Sequence, residues 1–104
     1  ELGALLFELG VNIGTGIAGK FLQRALNGFN LSGADLAVDG ACGAMTRAAL
    51  ASYLAARGAN HGAPLLVLVV RALAAVHYLE IAEGDRSQRQ FEFGWQLNRA
   101  FELA

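Results

Sequence analysis

Apolar side chains recur along this chain mostly at spacings of three and four residues, which is the period of an amphipathic α-helix. One such stripe contains Leu2, Leu5 and Leu9, and a second runs from Ile17 to Leu26. The polar residues of the second segment are expected to face solvent on the opposite side; they are Lys20, Gln23 and Arg24. The pattern predicts five helices, over residues 2–11, 17–27, 43–57 and 64–83 and from Ser87 onward.

Turn-forming residues separate these segments. Asp39-Gly40 is a strong turn dipeptide, because glycine tolerates a positive φ and aspartate accepts bonds from nearby backbone N–H groups, so residues 29–42 are predicted to form a loop. Pro64 suits the first turn of the fourth helix, where a missing N–H costs little. The side chains expected to face inward from the third helix are Met45, Ala49, Leu50, Tyr53 and Leu54. Those expected to do so from the fifth are Phe91, Trp95 and either Leu97 or Asn98.

These elements define the fold class as all-α, a compact bundle of about five helices. A chain of 104 residues is long enough for one domain with one core, and we assign residues 1–104 to a single helical domain. The chain starts inside an apolar helical pattern, without an initiator methionine or a signal peptide. We therefore expect it to be a fragment of a longer protein.

Residues 65–70 also fit a buried strand, and the apolar run that continues to Ala82 also fits a membrane span. No turn signal interrupts the run, which favours a helix over a strand. Arg71 lies near its middle, and His77 and Glu80 lie toward its end. Because a charge at the centre of a bilayer is costly, we predict a core helix and no membrane span.

Composition narrows the possible partners and cofactors. Apolar residues make up 55% of the chain, the net charge is −1, and no run of Lys or Arg occurs. The positive patch that nucleic acids or anionic membranes attract is therefore missing. Cys42 is the only cysteine and cannot form an internal disulfide, and His61 and His77 lack the spacing of a paired metal site. We expect no metal and no cofactor.

The segment from Gly14 to Lys20 satisfies the G-x-G-x-x-G pattern of a nucleotide-binding loop. Its context differs from that of such a loop. A phosphate loop needs Ser or Thr after the lysine to hold magnesium, and Phe21 occupies this position. The preceding residues have a helical period instead of a strand pattern. We therefore interpret these glycines as the corner at which two helices meet closely.

Residues 21–50 combine the patterns L-Q-x-x-L and V-D-G-x-x-G-x-x-T-x-x-A-L, joined by a loop. This combination resembles the peptidoglycan-binding modules of bacterial and phage cell-wall hydrolases. The segment around Val11 and Asn12 looks like the F-D-x-x-V-N-x-G segment of glycoside hydrolase family 108, whose members are lysozyme-like N-acetylmuramidases, often phage-derived and often described as secretion activators. Phe91, Gly94-Trp95 and Asn98-Arg99 resemble the end of that family's C-terminal peptidoglycan domain, so the resemblance spans nearly the whole chain.

Three departures from the family pattern stand out. Ala44 replaces a proline that usually follows the glycine of the turn, and Glu8 replaces an aspartate. The family's catalytic glutamate lies in an N-terminal E-G-G-Y type motif, and this chain contains no such motif. Glycoside cleavage needs a carboxylic acid placed against the leaving oxygen. The resemblance therefore implies the C-terminal half of a muramidase without its acid, and we assign no catalytic residue.

The resemblance implies a domain that binds peptidoglycan glycan strands at the bacterial cell wall or in the periplasm. Sugars are bound by polar groups that meet their hydroxyls and by aromatic faces. The candidate binding residues are Asn12, Gln23, Tyr78, Trp95 and Asn98. The Asp39-Gly40 turn is expected to serve the fold instead. The alternative is a non-catalytic structural or partner-binding helical domain of a phage or secretion-system protein. The sequence leaves the oligomeric state open.

Overall fold

The structure is a computed structural model that describes residues 2–103, with the side chain of Ala59 excepted. The described residues form five α-helices and no β-strand, so the all-α prediction is confirmed. The helices are α1 (Leu2–Ile13), α2 (Thr15–Gly28), α3 (Ala44–Arg57), α4 (Ala63–Gly84) and α5 (Arg89–Gly94). A π-helical turn, Gly58–Gly62, joins α3 to α4, a 3₁₀ turn, Arg86–Gln88, precedes α5, and a second π-helical turn, Trp95–Ala100, follows it.

The chain divides into two compact units, one ending at Val70 and the other beginning at Arg71. The division falls within α4, which contributes its first residues to the first unit and the remainder to the second. The assignment of all 104 residues to a single domain stays a prediction.

The first unit is built on α1, α2 and α3. Gly14 turns the chain between α1 and α2 with a φ of 100°, a conformation that glycine adopts without the steric cost of a Cβ. Its buried apolar residues follow the predicted stripes of α1 and α2 closely. They are Leu5, Leu9, Ala18, Phe21, Leu22, Ala25 and Leu26, joined by Tyr53 of α3 and by Leu66 and Val70 of α4.

The turn at Gly40 lies directly on α2. A Cβ on Gly19 would lie 2.5 Å from the Gly40 carbonyl oxygen, and a Cβ on Gly40 would collide with the backbone of Gly16. Gly40 also has a φ of 80°. The interpretation of the glycine-rich segment as a corner between two helices is therefore wrong in part: Gly14 forms that corner, whereas the missing Cβ of Gly19 makes room for the loop.

The second unit folds α5 and its flanking turns onto the remainder of α4. Two side chains reach α4 carbonyl oxygens: Gln96 Nε2 donates to Ala75 at 2.9 Å, and Arg89 Nε donates to Ala82 at 2.9 Å. Arg71 of α4 donates to the Ala100 carbonyl oxygen at 3.0 Å. It also pairs with the Glu102 carboxylate at 3.0 Å. Directional bonds of this kind fix the terminal segment against the helix.

Several sequence-based expectations need correction at the helix ends. Helix α2 begins at Thr15, two residues earlier than predicted, because only Gly14 interrupts the helical backbone. The fifth α-helix begins at Arg89 instead of Ser87, because residues 86–88 form a 3₁₀ turn. Asp85 caps this turn: its carboxylate accepts from the Ser87 backbone N–H at 3.0 Å and from the Ser87 hydroxyl at 2.7 Å.

Two side chains expected to face inward are exposed. Met45 of α3 is 77% exposed, and Phe91 of α5 is 48% exposed. Conversely Gln23, expected on the solvent face of α2, is 1% exposed. Burial of a primary amide is tolerated because its polar atoms are hydrogen-bonded, as described below.

The helical segment Asn60–Gly84 contains 25 residues and is long and apolar enough to cross a membrane. Only 28% of its most apolar window is buried among the described residues. The segment also contains Arg71, whose guanidinium is engaged by Glu102 and by the Ala100 carbonyl. The prediction of a core helix without a membrane span therefore stays a prediction.

Candidate functional site

Gln23 organises the loop between α2 and α3. Its side-chain oxygen accepts from the backbone N–H groups of Asp39 at 3.1 Å and Gly40 at 2.8 Å. Its amide nitrogen lies 3.1 Å from the Asp39 carboxylate, 3.2 Å from the Ala41 carbonyl oxygen and 3.2 Å from the Thr46 hydroxyl. One buried amide thus joins α2, the turn and the first turn of α3.

Asp39 completes this arrangement from the exposed side of the turn. Its carboxylate accepts from the Ala41 backbone N–H at 2.9 Å. This bond, followed by the one from Gln23, lowers the pKa of Asp39 because both donors favour the charged form. The expectation that the Asp39-Gly40 turn serves the fold agrees with these bonds, which are all internal to the chain.

A second side-chain amide, that of Asn27 near the end of α2, also bonds to the loop. Asn27 donates from Nδ2 to the Leu36 carbonyl oxygen at 3.0 Å and accepts from the Leu36 N–H at 2.8 Å. This reciprocal pair, which we call the Asn27 clamp, closes residues 27–36 into a loop of their own. Within it, Asn30 donates to Asp35 at 2.9 Å and to the Gly33 carbonyl at 3.3 Å.

The clamped loop forms one wall of a cleft of about 550 Å³, and α3 forms the other. We call it the α2–α3 cleft. Its size falls in the range of roughly 300–1,000 Å³ that small-ligand sites occupy. Most of its lining is apolar: besides two aromatic residues, these are Leu26, Leu31, Ala34, Leu36, Met45, Ala49 and Ala56. Leu31 and Met45 are 87% and 77% exposed, so the rim presents apolar surface to solvent.

Two aromatic rings contribute to the lining of the cleft. The centroids of Phe29 and Tyr53 are 5.3 Å apart, with the ring planes inclined at 45°. The Tyr53 hydroxyl donates to the Gly62 carbonyl oxygen at 2.7 Å, which fixes the ring between the cleft and the π-helical turn after α3. Tyr53 is only 7% exposed, so the partly exposed ring of Phe29 supplies most of the aromatic surface that a ligand could reach.

Arg57 is the only charged residue among the described residues that line the cleft. It is the last residue of α3 and is exposed. No carboxylate of the described chain forms an ion pair with it. The polar lining also includes Asn27, Asn30, Ser32 and Ser52.

The second unit contains a separate aromatic cluster. Tyr78 stacks on Trp95 with centroids 5.3 Å apart, and Phe91 lies 5.8 Å from Trp95. Tyr78 is 1% exposed, and this burial raises the pKa of its hydroxyl, whereas the nearby Arg99 guanidinium acts in the opposite direction. Trp95 is half-buried.

The five candidate residues therefore occupy different environments. Asn12 lies exposed near the end of α1, and Asn98 lies exposed in the last π-helical turn. Tyr78 and Trp95 are brought together, whereas Gln23 is enclosed by the turn. Tyr78 and Gln23 have no side-chain surface open to a ligand in this conformation. The Asn27 clamp, the Phe29–Tyr53 pair and Arg57 were not anticipated from the sequence.

Neither a metal site nor a nucleophile adds to the chemistry of the cleft. No group of three or more His, Cys, Asp or Glu side chains that could hold a metal occurs in the part of the chain that the structure describes. Cys42 is free and exposed. Partial burial of its sulfur, with a smaller effect of Asp39, raises the pKa of this thiol, which lowers its reactivity.

Comparison with known families agrees with a binding role. A family described as "Predicted Peptidoglycan domain" matches residues 17–100, from α2 to the last π-helical turn. No curated protein and no solved structure matches the chain significantly. The matched segment includes the Gln23-centred turn, the α2–α3 cleft and the aromatic cluster of the second unit. Since the match covers most of its length, the chain belongs to this family of peptidoglycan domains.

Proposed function

We propose that this domain binds peptidoglycan in the α2–α3 cleft, and that it does so as the part of a longer lysozyme-like muramidase that binds the bacterial cell wall. Family membership supports the ligand class. The cleft is the observation on which the choice of site rests. It has the volume of a small-ligand site, a fixed aromatic pair and one cation, Arg57, that forms no ion pair with a described residue.

Retention on insoluble peptidoglycan tests the ligand class. The purified chain is incubated with peptidoglycan sacculi, which are pelleted and washed, and the bound fraction is measured by gel densitometry. We expect retention well above that of an unrelated helical protein of similar size and charge. Retention equal to that of the unrelated protein would contradict peptidoglycan binding.

A matched pair of tryptophan substitutions tests the site. Ala56 and Ala55 are adjacent exposed residues of α3, but only Ala56 lines the cleft. Ala56→Trp places an indole into the cleft and is expected to reduce retention on sacculi, whereas Ala55→Trp is expected to retain the wild-type level. Equal retention of both variants would argue for a binding surface elsewhere on the chain. Thermal unfolding of both proteins checks that each variant is folded.

Glycan contacts outside the cleft are also part of the proposal. The half-buried ring of Trp95 and the exposed amides of Asn98 and Asn12 are suited to sugar faces and hydroxyls. Tyr78 stacks on the Trp95 ring, and Gln23 holds the Asp39-Gly40 turn in place. Asn98→Ala is expected to weaken retention moderately, and Asn60→Ala, another exposed asparagine, serves as its control. Unchanged retention of Asn98→Ala would remove that residue from the proposed contacts.

The parent activity is proposed on the sequence resemblance alone. A longer protein that includes an N-terminal E-G-G-Y type segment would hydrolyse the glycan, with this chain holding the substrate. Turbidity clearing of sacculi by the longer protein, lost when that glutamate is changed to glutamine, is the expected result. Full clearing by the glutamine variant would contradict a glycosidase that uses this acid.

A partner-binding domain is the second candidate. Phe7 and Val11 of α1 are 74% and 72% exposed and lie four residues apart, on one face of the helix. We propose this pair as part of a contact surface, since contiguous exposed apolar patches mark sites of protein interaction. A stable complex with another protein, together with no retention on sacculi, would favour this function over peptidoglycan binding.

A further inference from the structure

We infer that the α2–α3 cleft takes the acidic stem peptide of peptidoglycan, with Arg57 binding a carboxylate, instead of the glycan strand. The inference rests on the proposed function and makes it more specific. It follows from which polar groups of the cleft are already engaged and which remain available to a ligand.

The amide groups of the cleft are mostly engaged in holding its wall. Both polar atoms of Asn27 bond to Leu36. Asn30 donates to Asp35 and Gly33, and its oxygen accepts from the Ser32 N–H at 3.3 Å. These side chains thus use much of their hydrogen-bonding capacity in holding the loop, which leaves less of it for sugar hydroxyls.

Tyr53 is committed in the same way, because its hydroxyl proton is donated to the Gly62 carbonyl oxygen. The groups left for a ligand are the hydroxyls of Ser32 and Ser52 and the guanidinium of Arg57. A saccharide presents several hydroxyls per ring, and each one buried without a partner is costly. The cleft has too few free partners for a sugar ring to enter deeply.

A stem peptide fits the groups of the cleft that remain available to a ligand. Its alanine methyl groups suit the small apolar surface formed by Ala49, Ala56 and the Phe29 ring. Its carboxylates suit a guanidinium, which binds them with two parallel charge-assisted hydrogen bonds. Arg57 is unpaired within the described chain, and Asp35, an acidic residue of the same loop, does not line the cleft. No neighbouring carboxylate of the lining competes with the ligand for Arg57.

Calorimetric titration of three soluble or suspended probes tests the inference. The first is the pentapeptide L-Ala-γ-D-Glu-L-Lys-D-Ala-D-Ala, and the second is the same peptide with its carboxylates amidated. The third is glycan chains freed of stem peptides by an amidase. We expect the acidic peptide to bind, the amidated peptide to bind at least about tenfold more weakly, and the bare glycan to show no competition with the peptide.

Two arginines of α3 provide the matched variants. Arg57 and Arg47 are both exposed, and only Arg57 lines the cleft. Arg57→Gln is expected to lower the affinity for the acidic peptide about tenfold or more and to leave the affinity for the amidated peptide unchanged. Arg57→Lys is expected to recover part of the lost affinity. Arg47→Gln is expected to bind both peptides as the wild type does.

The outcomes separate this inference from the proposed function. If intact sacculi retain the protein while the acidic and amidated peptides bind equally, or while bare glycan displaces the peptide, the stem-peptide inference is overturned and peptidoglycan binding stands. If intact sacculi do not retain the protein at all, both fail. A loss of acidic-peptide affinity in Arg47→Gln equal to that in Arg57→Gln would show general charge attraction and would also overturn the inference.

Discussion

At the scale of single residues, Gln23 is the side chain on which the loop depends most. Its amide bonds to groups sixteen to twenty-three positions away along the chain, from Asp39 to Thr46. The sequence placed Gln23 on the polar face of α2, because helical periodicity sorts residues only by polarity. Burial of a polar side chain depends on partners that a loop supplies, and periodicity carries no information about them.

Replacing Gln23 tests this dependence. Gln23→Ala leaves the N–H groups of Asp39 and Gly40 without their acceptor and opens a small cavity, so we expect a loss of about 3 kcal/mol in the free energy of unfolding. Urea unfolding followed by circular dichroism measures it. Gln90→Ala, which removes an exposed bond to the Ser87 carbonyl, is expected to cost less than about 0.5 kcal/mol. Similar losses in the two variants would contradict the role assigned to Gln23.

Asp39 gives the turn a dependence on pH. Because hydrogen bonds from Ala41 and Gln23 lower the pKa of the folded carboxylate, its contribution to stability is present above the ordinary pKa of aspartate and is lost as the pH falls through the lowered value. Asp39→Asn keeps an acceptor oxygen and cannot titrate. The difference in unfolding free energy between wild type and variant is therefore expected to shrink between pH 7 and pH 2.5. A difference that stays constant over this range would contradict the linkage.

At the scale of elements, helix positions were predictable and the cleft was not. The sequence predicts an inward-facing stripe on α3 made of Met45, Ala49, Leu50, Tyr53 and Leu54. In the structure Met45, Ala49 and Tyr53 of this stripe line the cleft together with Ser52 and Ala56, and Met45 is exposed. Periodicity identifies a face that lacks charge, but the same pattern suits a core and a ligand site. Only the path of the loop, fixed by Asn27 and Gln23, separates the two.

The contact between α2 and the Gly40 turn predicts opposite effects for two glycines of one helix. Gly19→Ala brings a methyl group within 2.5 Å of the Gly40 carbonyl oxygen and is expected to cost about 1–3 kcal/mol. Gly16→Ala meets no atom within 4 Å and is expected to stabilise the fold by about 0.5–1 kcal/mol through helix propensity. Thermal unfolding of the two variants measures whether each substitution raises or lowers the stability. Equal shifts in Tm would contradict the close contact.

At the scale of the whole molecule, the distribution of apolar surface is the main question that the sequence left open. The segment Asn60–Gly84 has the length and composition of a membrane span, and 28% of its most apolar window is buried. Arg71 lies within it and forms an ion pair with Glu102, with 15% and 40% of the two side chains exposed. The charge count and the apolar run were visible in the sequence, whereas the pairing of Arg71 with a residue 31 positions away was not.

Phase partition tests the assignment of this helix. A helix that carries a guanidinium near its middle, as this one carries Arg71, is costly to place in hydrocarbon. We therefore expect the chain to remain in the aqueous phase after Triton X-114 separation. Recovery in the detergent phase, alongside an established membrane-spanning control, would contradict the prediction and identify the segment as a span.

The Asn27 clamp has a consequence for the thermodynamics of binding. Ordering a flexible ten-residue wall around a ligand would cost conformational entropy at the moment of association. Here two hydrogen bonds of 2.8 and 3.0 Å close the wall before any ligand arrives. The entropy is lost when the chain folds, so a ligand entering the cleft meets a surface whose shape is already set. Small gains in contact area then convert more fully into affinity.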